Sequence, residues 1–153
     1  MFYQCDLSEF ASDLSSLING ESMFDGNTLS VFEVDNLDNL QNGKYMFLNS
    51  GIEKWNIDLP SLTNSESMFY NTPLVSFKGN MPKLTNGQEM FSYNENLSEF
   101  RSDLSALTNG SCMFESCWGL KTFDTKLPVL ENGERMFNAT SIESFVVDEL
   151  PEL

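Results

Sequence analysis

One skeleton, Leu-x-Asn-Gly followed by Met-Phe, recurs six times along this chain, and self-similarity at a fixed period constrains the fold more than any local motif does. The copies run from Leu17-Ile18-Asn19-Gly20 into Met23-Phe24, and from Leu40-Gln41-Asn42-Gly43 into Met46-Phe47. Leu62-Thr63-Asn64-Ser65 leads into Met68-Phe69, and Leu84-Thr85-Asn86-Gly87 into Met90-Phe91. Leu107-Thr108-Asn109-Gly110 precedes Met113-Phe114, and Leu130-Glu131-Asn132-Gly133 precedes Met136-Phe137. With Met1-Phe2, the Met-Phe pairs recur at spacings of 22 or 23 residues.

Four further apolar columns share this period. They begin at Leu7, Phe10, Leu14 and Leu17 and continue through every copy, with Trp55 standing once in the Phe column. The extra residue of the longer copies falls between columns, as insertions in connections do. Six apolar positions in so short a unit cannot bury themselves alone, but stacked units share one interior, each buried side chain contributing about 1.5–3 kcal/mol. The expected fold is a repeat solenoid of leucine-rich-repeat type, about seven coils of 22–23 residues spanning 1–153 as a single domain. Each coil is expected to carry one short strand, paired in parallel with its neighbours, and a helical or 3₁₀ turn at Met-Phe. Asn-Gly is expected to supply positive φ, and Pro60, Pro82, Pro128 and Pro151 to mark strand ends. Both termini are expected to cut through a repeat, with flanking repeats or capping domains beyond them.

Charge narrows the function classes. The formal charge is -15 with eight Lys or Arg, so the basic face that meets nucleic-acid phosphates is missing and an anionic membrane surface would repel the chain. No apolar run nears the ~20 residues that span a bilayer, so membrane insertion is not expected. The chain has no histidine, which removes Ser-His-Asp, Cys-His and histidine-ligated zinc chemistry from its own repertoire. Cys5, Cys112 and Cys117 are too few for a disulfide framework, and Cys5 and Cys117, five repeats apart in one column, lie beyond bonding distance. All three are expected as free, largely buried thiols.

The pattern Met-Phe-x-x-Cys, then Leu-x-x-Phe, then Leu-Pro-x-Leu-x-Asn-Gly resembles the BspA-like leucine-rich repeat. Met113-Phe114-Glu115-Ser116-Cys117-Trp118-Gly119-Leu120 is the cleanest copy. Two departures stand out: the Cys column reads Cys5, Asn27, Ser50, Thr72, Asn94, Cys117, Thr140, and the strand carries Phe where Ile or Leu is commoner. Small polar side chains in that column are expected to hydrogen-bond backbone of neighbouring coils. The resemblance implies a non-enzymatic protein- or glycan-binding module without cofactors, adhesin-like, at a bacterial surface or phage-encoded, and hence extracellular or on a virion. The competing reading is a structural spacer in a larger assembly such as a virion or surface fibre.

Three exposed features are candidates for contact with partners. Strand-face polar positions, among them Glu9, Glu53, Lys54, Ser76, Glu99, Lys121 and Glu143, vary between copies while the core columns do not. Such variation suits a recognition face and equally an unconstrained surface. Tyr3, Tyr70, Tyr93 and Trp118 follow Met-Phe on a different side, where aromatics could stack on sugar rings or pack on a partner. The row Asp13, Asp35, Asp58, Asn80, Asp103, Lys126, Asp148 could be read as a Ca²⁺ site, for example at Asp35 and Asp58, but calcium takes six to eight oxygens, and solvated turn-forming carboxylates are the simpler expectation. No metal site is expected.

Overall fold

The computed structural model describes residues 1–145; Asp148, Leu150, Pro151 and Leu153 lie outside them. Seven strands occur, one per repeat: β1 (Glu9–Ala11), β2 (Val31–Glu33), β3 (Lys54–Trp55), β4 (Ser76–Phe77), β5 (Glu99–Phe100), β6 (Thr122–Phe123) and β7 (Ser144–Phe145). All pairing is parallel and in register, Phe10 opposite Phe32, Trp55 opposite Phe77 opposite Phe100, and Phe123 opposite Phe145. The ladder is nevertheless discontinuous: β1-β2, β3-β4-β5 and β6-β7 form three separate sheets.

What runs without a break is the packing beneath. The Met-Phe rings, from Phe2 through Phe24, Phe47, Phe69, Phe91 and Phe114 to Phe137, stack at 5.3–5.9 Å with planes within 12° of parallel. The strand rings form a second file that crosses both gaps, Phe32 to Trp55 at 5.7 Å and Phe100 to Phe123 at 6.0 Å. The two files meet edge to face, as Phe91 meets Phe77 at 4.9 Å and 70°, the offset geometry that aromatic quadrupoles favour. Leu and Met columns close the rest of the interior.

The Met-Phe segment is not the helical or 3₁₀ turn expected; no helix of either kind occurs among the described residues. Each Met N–H donates to the carbonyl of Gly (or Ser65) three residues back, at 2.9–3.1 Å. The residue between them nearest Met has positive φ, at Ser22, Tyr45, Ser67, Glu89, Cys112 and Arg135. A second such residue lies three after Met, at Gln4, Gly26, Asn49, Asn71, Tyr93, Ser116 and Ala139. Positive φ at the third residue of a four-residue turn is the requirement of type II, and it ends any helical run. Intervening N–H groups then point along the stack: Gly20, Ser22, Phe24 and Gly26 donate to the carbonyls of Asn42, Lys44, Met46 and Leu48 at 2.8–2.9 Å. The same pattern repeats through Ser116, so this backbone is satisfied between repeats.

Asn-Gly therefore does not provide the positive φ expected of it. The Asn column instead forms parallel bridges from Asn19 to Asn132, and the amides of Asn42, Asn64, Asn86 and Asn109 each donate to the preceding Asn Oδ1 at 2.9–3.2 Å. Glycine follows because the space is taken: a Cβ at Gly20 would lie 2.6 Å from Met46 Sδ and one at Gly43 2.7 Å from Met68 Sδ. Proline is also reassigned. Strands stop at or just after the aromatic column, and Pro60, Pro82 and Pro128 each sit second in a later turn closed by Leu62, Leu84 and Leu130 N–H on Leu59, Met81 and Leu127, where a fixed φ near -65° is favourable. Where proline is absent, Asp13 and Asp103 accept from Ser15 and Ser105 N–H at 2.8 and 2.9 Å and shape the same turn.

In the column of Cys5 and Cys117, the side chains of Asn27, Asn94 and Cys117 bond backbone of the preceding repeat, and Thr72 and Thr140 bond that of their own. Buried Ser50 Oγ has no hydrogen-bond partner among the described residues. Asn94 Nδ2 donates to Phe69 and Phe91 carbonyls, both at 2.8 Å, and Cys117 Sγ to Phe91 O at 3.0 Å. The thiols are less uniform than expected: Cys117 is buried, Cys112 half-buried and Cys5 exposed, all free. Burial pushes the Cys117 thiol up to about 12, and thiolates, not thiols, attack electrophiles. Alkylation at pH near 8 should therefore modify Cys5 readily and spare Cys117 until the fold is denatured. Peptide mapping that found Cys117 labelled in the native protein would contradict this burial. Because the folded-state value is raised, folding also retains a proton that the unfolded chain releases above its ordinary value of 9.0, so Cys117 should lower stability as pH rises from there toward 12.

Candidate binding face

The strands place one column of side chains outward directly before each aromatic: Glu9 beside Val31, then Lys54, Ser76 and Glu99 in register, then Thr122 beside Ser144. Alternation along a strand sends the residue after the aromatic to the same side, adding Ala11, Glu33, Asn56, Lys78, Arg101 and Asp124, all exposed. Of the residues expected at this face, Glu9, Lys54, Ser76 and Glu99 share the first column. Glu53, Lys121 and Glu143 lie one residue earlier, also exposed, and border it.

The breaks between sheets open clefts onto this face. Between β2 and β3, one of about 250 Å³ is lined in part by Val31, Phe32, Lys54 and Trp55. Between β5 and β6, one of about 410 Å³ is lined by Lys78, Ser98, Glu99, Phe100, Arg101, Thr122 and Asp124. Lys78 and Asp124 follow the aromatic column, as Arg101 does, and inspection of the residues before that column misses all three. The period-two rule applied on its other side would have found them.

Electrostatics distinguish the face from the rest of the molecule. Lys54, Lys78, Arg101 and Lys121 are half of the chain's eight cations, so this region mixes both signs on a strongly acidic protein. Lys78 Nζ pairs with Glu99 Oε2 at 2.8 Å and Ser76 Oγ donates to the same oxygen at 3.4 Å. The lysine bond, before its charge, holds the Glu99 carboxyl below its ordinary value. Pairs this exposed contribute little to stability, about 0–1 kcal/mol, but they fix where the charges point.

The other candidates separate. Tyr70 and Tyr93 lie on adjacent repeats with ring centroids 5.3 Å apart and planes at 52°, and burial first, then Tyr93, Glu89 and Glu115, raises the Tyr70 hydroxyl's pKa. Tyr3 shares the position of Tyr70 but lies three repeats away, so the structure does not bring the four aromatics together. In the acidic row, Asp58 Oδ1 accepts Asn80 N–H at 2.9 Å. Among the described residues no group of three or more Cys, Asp or Glu is placed to hold a metal, and no helix is long and apolar enough to cross a membrane.

Parallel strands, one to a repeat, with a period of 22–23 residues define a leucine-rich-repeat protein. The chain belongs to the BspA type leucine rich repeat region family, whose model matches in six copies over residues 1–98 and 43–151. The family is one of repeat-based binding modules and is typically non-enzymatic. Comparison with curated proteins and with solved structures gives no match.

Proposed function

We propose that this protein is a non-enzymatic solenoid that recognises a protein partner through its strand face, as an adhesin-like module at a cell surface or on a virion. The observation that carries the reading is the contrast between layers. Buried columns keep Met, Phe and Leu from repeat to repeat, while the residues directly above them change from Glu to Val, Lys, Ser and Thr. A rigid, repetitive interior holding a changeable outer column is how repeat proteins build extended recognition surfaces. The β5/β6 cleft adds a point of focus: Arg101 is exposed beside it, and arginine is among the residues that dominate interface energies.

The test screens the purified protein against an array of extracellular proteins and measures each hit by interferometry. Reversing Glu53, Glu99 and Glu143 to Lys should weaken a genuine partner by about tenfold or more, and Arg101→Glu should do so alone. Undiminished affinity in both variants would remove this face from the binding role. Absence of any partner, together with self-association of the chain that the same substitutions abolish, would favour the structural spacer.

A further inference from the structure

We propose that a second site, on the segments between the Met-Phe turns and the strands, binds a neutral pyranose sugar between Tyr93 and Trp118. The first observation is an exposed aromatic ring at a position where the other repeats carry none. Tyr93 has φ 63°, in the position where other repeats place Gln4, Gly26, Asn49, Asn71, Ser116 and Ala139. Every repeat holds positive φ there whatever its side chain, so the backbone follows from the fold, and what sets this repeat apart is the aromatic ring it carries. Tyr93 remains 44% exposed, so much of that ring is offered to solvent and not to the core.

The second observation is what surrounds that ring. Tyr70 packs against it from the preceding repeat at 5.3 Å, steadying it while much of it meets solvent. Beside it lies a shallow cleft of about 340 Å³, lined by Asn71, Thr72, Pro73, Tyr93, Glu95 and Asn96, within the size range of small-ligand clefts, about 300–1,000 Å³. Asn71 Nδ2 donates to Asn49 Oδ1 at 2.8 Å, which orients its amide. On the far side, Gly119 N–H donates to Glu95 O at 2.9 Å, and a Cβ at Gly119 would come within 3.0 Å of Asn96 backbone. Trp118, at the equivalent position one repeat on from Glu95 and 55% exposed, is thereby seated next to the cleft.

An aromatic ring face accepts the axial C–H groups of a pyranose, which are polarised toward its π-cloud, while carboxylate and amide groups take the equatorial hydroxyls. Tyr93 and Trp118 supply the first kind of surface, and Glu95, Asn71 and Asn96 the second. The charge selects within sugars. The lining holds one carboxylate and no cation, so a sialylated or sulfated sugar would be repelled and a neutral one would not.

The experiment uses the full chain, immobilised neutral glucose-, galactose- and mannose-based oligosaccharides, and their sialylated and sulfated counterparts. At least one neutral sugar should bind at millimolar concentration or better and perturb tryptophan emission. Trp118→Phe should remove that signal, because the remaining Trp55 is buried. Tyr93→Asn should lower affinity about tenfold or more while the fold is kept, since Asn49 and Asn71 already stand at the same position in other repeats. No neutral binding, a preference for acidic sugars, or full binding by Tyr93→Asn would overturn the proposal. The Glu53, Glu99 and Glu143 reversal should leave sugar binding unchanged, so failure of the strand-face reading and of this one are told apart; sugar binding lost in that variant would also overturn it.

Discussion

Phe91→Ala should destabilise the protein by about 3–5 kcal/mol, among the largest losses expected from truncating one side chain here. Phe91 is wholly buried and touches four rings: Phe69 at 5.9 Å and Phe114 at 5.4 Å along its own file, Phe77 at 4.9 Å and Phe100 at 5.5 Å across. Each aromatic pair adds about 0.5–1.5 kcal/mol beyond area burial, and the cavity left behind is bounded by neighbours that stack on one another and cannot collapse inward. In a repeat array each unit is held by its two neighbours, so the same change in the first repeat should cost less. Phe2 is only half-buried and meets just Phe10 and Phe24, and Phe2→Ala should cost about half as much. Because Phe91 sits mid-array, its loss should also loosen coupling between the two halves, broadening the urea transition and lowering its slope. Equal and small losses for the two variants would mean that the stacked rings are not what joins the repeats.

The columns that form this interior are legible in the sequence because stacking converts a period along the chain into contact across it: Phe69 meets Phe91 for the same reason that both follow Met. What the sequence hides are relations that stacking creates at other offsets. Asn86-Gly87 carries the signature of a turn, yet its glycine answers to Met113, whose sulfur and methyl would lie 3.2 Å from a Cβ there. The positions that do hold positive φ carry Tyr45, Glu89 and Arg135, residues with no turn signal of their own. They adopt it because alternate N–H groups must reach the next repeat. The outward strand face is legible as a set of columns. Its division into three sheets was not, since all seven repeats share the same skeleton. The breaks, and the clefts they open at Trp55 and Arg101, depend on spacings between strands that no residue type encodes.

Gly79→Ala should cost about 2–4 kcal/mol, combining overpacking with the loss of a partly buried hydrogen bond, although it adds a single methyl. Its Cβ would fall 2.3 Å from Ile57 O and 3.1 Å from the Trp55 indole. The carbonyl cannot simply turn aside, because Trp55 Nε1–H donates to it at 2.8 Å. Residues at the equivalent position elsewhere are Ser12, Val34, Ile57, Ser102 and Thr125, so the site itself does not demand glycine. It demands glycine in the repeat that follows Trp55, where the aromatic column carries its one indole. If that is the cause, Trp55→Phe should partly rescue Gly79→Ala by freeing the Ile57 carbonyl to shift, with a coupling energy of about 0.5–3 kcal/mol in a double-mutant cycle. Gly87→Ser makes the contrast. The obstacle there is the flexible end of Met113 and one Leu107 methyl, and the fold already accepts serine at that place: Ser65 Oγ sits 3.0 Å from Met90 Sδ and 3.3 Å from Asn86 O. Gly87→Ser should therefore cost under about 1 kcal/mol, since a methionine end re-packs where a carbonyl held by an indole does not. Urea titrations that ranked the two glycines the other way would show that the backbone at Ile57 yields more easily than the methionine column does.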